Sequence, residues 1–400
     1  MNFKKGNQKF PFLILNNLIN MAKEVNNVPS NDKTRKPIAK KTFSLDNYKK
    51  KIGAEKVPSK PLIWIPIDDA LREATGMPGV PKGYVTLFRG YSNTGKSTAL
   101  MRSIVNSQKM GVLPIIIDTE NNIDEGNERL TLMGFDWNKE YILVNNKFLL
   151  DNFGKAQNKD RKEAAIEDLA KTVYYFLDQQ KDGDLPCDLY FAIDSIGTLN
   201  CIATIDAAVK ETANNNMWNA GAYEKSFLSI LNNTIPNSRR IDSPYTNTIG
   251  AVQKTWYDSM NKVIKHKGGE TFFSGSRMIY HFGGILTHGT ERLTAASKSR
   301  DVNFGFRNKV NIAKNHVDGA LGGISLEGKV GSTPHGFIYG DDASVAEYKK
   351  EHILHFRNIL GDDSLTVEDI TIKSKPMDAE GNVSFEDEII ERIPDLPEII

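Results

Sequence analysis

The chain has 400 residues, with 51 basic and 50 acidic side chains and a formal net charge of +1. At 25 % charged and 40 % hydrophobic residues it has a globular composition, which excludes wholesale disorder, collagen and coiled-coil classes. No apolar run approaches the ~20 residues of a membrane helix, and two cysteines, Cys187 and Cys201, cannot build a disulfide framework, so a cytoplasmic, reducing setting without a membrane partner is the expectation.

The charge is unevenly distributed. Residues 1–60 hold 14 Lys/Arg against 4 Asp/Glu, and residues 361–400 hold 3 against 12. A basic head and an acidic tail read either as an interaction arm with a competing tail or as two solubilising ends. Lys4, Lys5 and Lys9 precede Phe10 to Leu15, but Pro11 interrupts that apolar stretch and no small-residue cleavage site follows, so a leader is not expected. Met21 is a second candidate start. The organisation expected is a basic arm and linker over 1–60, a core over 61–343, and a helical segment with an acidic tail over 344–400.

In chain order, the first folded signal is the apolar stretch Ile63 to Leu71, followed by a Gly/Pro-rich turn from Gly76 to Gly83. Tyr84 to Phe88 reads as a buried strand, Ser97 to Met110 as a helix, and Leu113 to Asp118 as a second buried strand. A helix up to Met133 and a short strand at Tyr141 to Val144 come next. Ile166, Leu169, Val173, Phe176 and Leu177 recur at helical spacing. Leu189 to Asp194 is a buried strand, Trp218 to Leu231 a helix, and Asn247 to Gln253 a further strand. From there to about Lys309 the chain is Gly-rich and basic, with 10 Lys/Arg against 4 Asp/Glu over 254–310. Val310 to Lys314 and Ile324 to Leu326 read as strands, and Ser344 to Arg357 as a helix. Strands alternating with helices predict an α/β fold with a mostly parallel sheet covered on both faces, binding ligands beyond the carboxyl ends of its strands.

Gly90-Tyr91-Ser92-Asn93-Thr94-Gly95-Lys96-Ser97 fits G-x-x-x-x-G-K-[ST] between a predicted strand and a predicted helix, with Thr98 next in line. In that context glycines let backbone N–H groups surround phosphate oxygens, and the helix N-terminus adds positive partial charge. Lys96 would neutralise β/γ-phosphate charge and the Ser97 hydroxyl would hold Mg²⁺, so ATP and Mg²⁺ are the expected ligands. Asp194 ends an apolar strand about 100 residues later, the place of a carboxylate that orients Mg²⁺. Glu120 follows the second strand, where a carboxylate could accept a proton from attacking water. His352 and His355 share one helix face without a third ligand, which reads as a surface pair.

Over about residues 62–340 this arrangement resembles the RecA recombinase family, including its phage UvsX branch. The resemblance implies a RecA-type P-loop NTPase core and a DNA-dependent ATPase. It makes Glu120 the base, Asp124 the adenine contact and Asp194-Ser195-Ile196-Gly197 the Mg²⁺-orienting run. Ala251-Val252-Gln253 looks like the strand carrying the γ-phosphate sensor, Gln253. Gly268-Gly269-Glu270-Thr271-Phe272-Phe273-Ser274-Gly275-Ser276-Arg277 resembles the second DNA loop, with Lys262, Lys265 and Lys267 before it; cations there would meet phosphates and the Phe272-Phe273 pair would meet bases. The first DNA loop falls near Leu199 to Met217, with no single residue carried over. Lys314 matches a lysine that reaches the neighbouring subunit's ATP, while His316 stands where the bacterial pattern has a second lysine.

The function so implied is ATP-dependent homologous recombination: filaments on single-stranded DNA that pair and exchange strands with duplex DNA, with single-strand-binding and loader proteins as further partners and the host cytoplasm as the location of a phage-encoded chain. The alternatives are a hexameric replicative helicase, for which about 60 residues before the core are few, and an ATP-gated single-strand annealing scaffold. A small-molecule kinase would need neither the basic loop nor the tail.

Overall fold

The computed structural model describes residues 44–52, 57–90, 93–156, 158, 161–210, 217–257, 270–272, 282–296, 301–315, 317 and 328–367. The chain divides into two compact units, Met1–Lys56 and Val57–Ile400. In the first, helix α1 (Leu45–Lys51) begins at Ser44, whose hydroxyl accepts the Asn47 N–H at 3.3 Å.

The second unit opens with β1 (Trp64–Pro66), α2 (Asp69–Thr75) and β2 (Gly79–Pro81). Then come β3 (Val85–Gly90), α3 (Lys96–Lys109), β4 (Leu113–Asp118), α4 (Glu128–Leu132) and β5 (Ile142–Asn145). Helix α5 (Asn146–Leu149) runs on into a π-helical turn, Leu150–Gly154, before α6 (Ile166–Asp182), β6 (Leu189–Asp194) and α7 (Ile202–Val209). Helix α8 (Met217–Ser229) likewise passes into a π turn, Ile230–Thr234, and a last piece α9 (Ile235–Asn237). The chain continues through β7 (Thr248–Tyr257), β8 (Glu270–Phe272), β9 (Phe282–Ala296), β10 (Asp301–Asn315), β11 (Gly328–Thr333) and β12 (Gly336–Tyr339) to α10 (Asp342–Glu351) and α11 (Ile353–Leu360).

One sheet runs in the order β12-β11-β10-β9-β3-β7-β6-β4-β5. Its centre, β3, β7, β6, β4 and β5, is parallel, and β9 joins β3 in the same sense. β10, β11 and β12 then alternate antiparallel, and β8 pairs antiparallel with the far end of β7. The expected α/β architecture with a parallel core is therefore present.

The alternation of each strand explains the layers. Val85, Leu87, Ile115, Ile117, Phe191 and Ile193 face α6 and α8, meeting Leu169, Val173, Phe176 and Phe227. Phe88, Ile116, Tyr190, Ala192 and Val252 face α3, meeting Leu100, Ile104 and Val105. Both faces are covered, so the strands read as unbroken apolar runs. Gly250 leaves room for the Tyr190 side chain between β7 and α3. A Cβ there would stand 2.0 Å from the Tyr190 hydroxyl, which is hydrogen-bonded to Ser103 Oγ at 2.7 Å.

Several expectations shift. The turn over 76–83 contains β2, paired with β1. The helix expected to reach Met133 is only α4, with a loop before it, and the helix expected over Ser344 to Arg357 breaks at His352 into α10 and α11. The Gly-rich stretch after Gln253 contains the long β9–β10 hairpin. Ile324 to Leu326, the arm up to residue 43 and the tail from residue 368 lie outside the described residues.

Candidate nucleotide-binding site

Strand register brings the candidate residues to one edge. Asp118 pairs with Asp194, Arg89 with Gln253 and Gly90 with Lys254, so β4 and β6 end level, β3 runs two residues further and β7 passes them all. Past β3 the backbone turns sharply: Asn93 has φ 60° and Gly95 has φ 84°. Gly95 starts α3 in the left-handed region, and a Cβ on it would meet Phe337 Cζ at 2.9 Å and Ser332 Cβ at 3.0 Å. Glycine is therefore required here on both counts. The first N–H groups of a helix have no intrahelical acceptor, so α3 presents donors to an anion at this point. Tyr91 and Ser92 lie outside the described residues.

Thr94, Lys96 and Thr98 are buried, and Ser97 is half-buried. Burial lowers the Lys96 ammonium to about 8, while Asp194 and Glu120 pull it back up and Lys254 pushes it down. Burial raises the Asp194 carboxyl to about 6, against a hydrogen bond from Ser97. Asp194 Oδ1 is buried and accepts no hydrogen bond. A hydroxyl and a carboxylate oxygen with a vacant lone pair are the hard oxygen donors that Mg²⁺ takes, so the residues present fit that ion.

Glu120 sits on the turn after β4. Its Oε1 accepts from Ser195 Oγ at 2.7 Å and its Oε2 from Asn122 Nδ2 at 3.1 Å. Asp118 shapes the turn beneath, accepting the N–H groups of Glu120 at 3.0 Å and Ile123 at 2.5 Å. Thr119 ties the ends of β4 and β6 together: its N–H donates to the Asp194 carbonyl at 2.8 Å, its hydroxyl lies 2.6 Å from the Ser195 carbonyl, and that hydroxyl accepts the Ser195 N–H at 3.0 Å. Gln253 is fully buried beside Arg89.

A cavity of about 290 Å³ extends from Asn93–Thr98 to Asn303–Phe306 of β10 and Ser332–Pro334 at the end of β11. Arg129 completes its wall and donates to Thr98 Oγ1 at 2.6 Å, within the field of Asp194. Asn127 aims it, capping α4 by accepting the Leu130 N–H at 3.2 Å. Phe304 is braced from behind, stacked on Tyr348 with centroids 5.6 Å apart and edge-on to Phe356. Neither Arg129 nor Phe304 was expected from sequence. The cap at Asn127 was a visible signal for α4, but nothing in the spacing marks which face Arg129 takes.

Other candidates stand apart. Asp124 is exposed in the loop before α4 and does not line the cavity. Lys314 pairs with Gly283, which is level with Leu87, toward the amino ends of the strands rather than beside its own phosphate loop. His352 and His355, expected as a surface pair, are half-buried and gather around His335, with ring centroids 3.9 Å and 5.0 Å from it. Lys262, Lys265, Lys267, Gly268, Gly269, Phe273, Arg277 and His316 lie outside the described residues, and Phe272 ends β8. No helix among the described residues is long and apolar enough to cross a membrane.

No protein-family model matches the chain. A stretch of 74 residues is 35 % identical to Protein RecA of Aquifex aeolicus (strain VF5), covering 18 % of this chain and 19 % of that protein. A stretch of 51 residues is 39 % identical to Protein RecA of Aquifex pyrophilus, covering 13 % and 15 %. The similarity thus spans less than a fifth of the length of either relative.

Proposed function

We propose that this chain is an ATP-dependent recombination protein that binds Mg-ATP, assembles as a helical filament on single-stranded DNA and pairs that strand with a homologous duplex. The observation that carries the reading is the convergence of Lys96, Ser97, Asp194 and Glu120 on one sheet edge, beside the buried Gln253. Local similarity to Protein RecA supports the recombination class.

In this reading Lys96 and the N–H groups of α3 take the phosphates, and Arg129 and Phe304 bound the nucleoside end, with Asp124 as a further adenine contact. Ser97 and Asp194 hold Mg²⁺, which when bound neutralises charge on the phosphate oxygens. Glu120 accepts a proton from attacking water, with Ser195 and Asn122 fixing its carboxylate. Gln253 senses the γ-phosphate and couples it to the DNA loop carrying Lys262, Lys265, Lys267, Phe272, Phe273 and Arg277. Lys314 acts on the neighbouring subunit's site.

The test is negative-stain imaging with single-stranded DNA and a slowly hydrolysed ATP analogue. Helical filaments are expected; six-membered rings would replace this reading with a helicase. In parallel, Glu120→Gln should keep ATP and DNA affinity and lose turnover by about 10²-fold or more. Unchanged hydrolysis removes Glu120 from its role.

A further inference from the structure

A second cavity, of about 490 Å³, opens at the same sheet edge on the β5 side. Nine of its twelve lining residues are polar or charged, which disfavours an apolar ligand. One wall is α5 and its π turn, carrying Lys147, Asp151 and nearby Lys155. Asp151 accepts from Lys147 Nζ at 2.6 Å and from Lys155 Nζ at 2.5 Å. Those two bonds hold the Asp151 carboxyl down at about 2, so it stays anionic and keeps both ammoniums side by side.

A separate segment of the lining carries Lys162. It is anchored from below by Arg161, which is buried, pairs with the buried Asp168, and donates Nε–H to the Glu163 carbonyl at 2.9 Å. Asp168 also accepts the Ala165 N–H at 2.9 Å. Lys162 therefore projects from a fixed piece of backbone. Three cations face two carboxylates, Asp151 and Glu163, within the lining. Lys147 is 83 % exposed and Lys155 49 %, which places their heads at the rim rather than converging on one buried point. Cations spread over two segments of the lining suit a charged chain better than a single small anion.

The floor leads to the proposed catalytic carboxylate. Asn146 Nδ2 donates to the Thr119 carbonyl at 2.9 Å, Thr119 and Thr198 hydroxyls are 2.5 Å apart, and Ser195 joins Thr119 to Glu120.

We propose that this cavity holds the sugar–phosphate backbone of a single-stranded nucleic acid, with Lys147, Lys155 and Lys162 as its phosphate contacts. The proposal rests on the recombination reading and adds a contact surface separate from the loop after β7. Its place above Thr119 makes occupancy felt at Glu120, so single strands that fill it should raise ATP turnover.

The experiment compares wild type with Lys147→Gln/Lys155→Gln/Lys162→Gln and with a control, Lys109→Gln/Lys139→Gln/Lys181→Gln. Single-strand affinity is measured over a range of salt, together with nucleotide affinity and strand-stimulated hydrolysis. The slope of log K against log salt should fall in magnitude by about 2 in the cavity variant, at ~0.7 per lost phosphate contact, and not in the control. Strand stimulation should fall with it while nucleotide affinity holds. An unchanged slope, or an equal loss in the control set, overturns this inference alone. Wild type that binds no single strand at any salt instead defeats the recombination reading.

Discussion

Burial lifts the Asp194 carboxyl from 3.8 to about 6, although the proposed function needs it ionised. The folded value lies above the unfolded one, so the folded state binds the proton more tightly. Relative to a neutral side chain, ionised Asp194 therefore destabilises the nucleotide-free protein above pH 6, and the penalty shrinks as pH falls toward 4. A shift of two units corresponds to roughly 3 kcal/mol at most. Asp194→Asn should raise the thermal midpoint of the nucleotide-free protein at pH 7.5, with the gain narrowing between pH 6 and 4 in calorimetry. A gain independent of pH would show that charge burial is not its source. The same variant should lose Mg²⁺-dependent nucleotide binding. The placement of Asp194, Lys96 and Ser97 was legible in sequence because the end of an apolar strand and the start of a helix are local features. Ser195 as the partner of Glu120 depends on two strand ends meeting across the sheet, which local sequence does not encode.

At the scale of elements, α3 is tied to the cavity's far wall by one side chain. Arg102 pairs with Asp68 at 2.7 Å and donates to the His335 carbonyl between β11 and β12; Asp68 also accepts the Phe337 N–H at 2.8 Å. That turn presses Phe337 and Ser332 against Gly95. Burial raises the Asp68 carboxyl, and Arg102 opposes the shift. Arg102→Ala leaves that charge unpaired and should cost on the order of 3 kcal/mol in urea unfolding. It should also weaken nucleotide binding about tenfold, or 1.4 kcal/mol, by freeing the β11–β12 turn. Lost stability with intact nucleotide affinity would mean that the turn does not shape the cavity. The parallel strands were readable because burial on both faces leaves unbroken apolar runs such as Leu189–Asp194. Of the β9–β10 hairpin only Val310–Lys314 was. Its residues Gly283, Gly284 and Gly289 and its scattered charges break the alternation that marks a strand. Its pairing also bears a register shift between Asn303 and Gly305, beside the cavity.

At the scale of the whole molecule, Lys314 poses the sharpest geometric question. β10 runs antiparallel to β9, so its end lies toward the amino ends of the parallel strands, while Asn303–Phe306 near its start border the cavity. From Leu87 to Gly90 the rise is on the order of 10 Å, so the Lys314 backbone lies about that far below the phosphate-loop edge. A head-to-tail, non-closing contact sets such a surface of one subunit against the opposite edge of the next. In the proposed filament Lys314 would therefore reach the neighbour's ATP rather than its own. Lys96→Ala and Lys314→Ala should each abolish most strand-stimulated turnover alone. An equimolar mixture should recover up to about a quarter of wild-type turnover, because a random polymer places an intact Lys314 beside an intact Lys96 at that fraction of junctions. If both residues acted within one subunit, no subunit of the mixture would hold both, and turnover would stay at the level of the single variants. The mixing curve thus separates action between subunits from action within one, independently of how the filament looks.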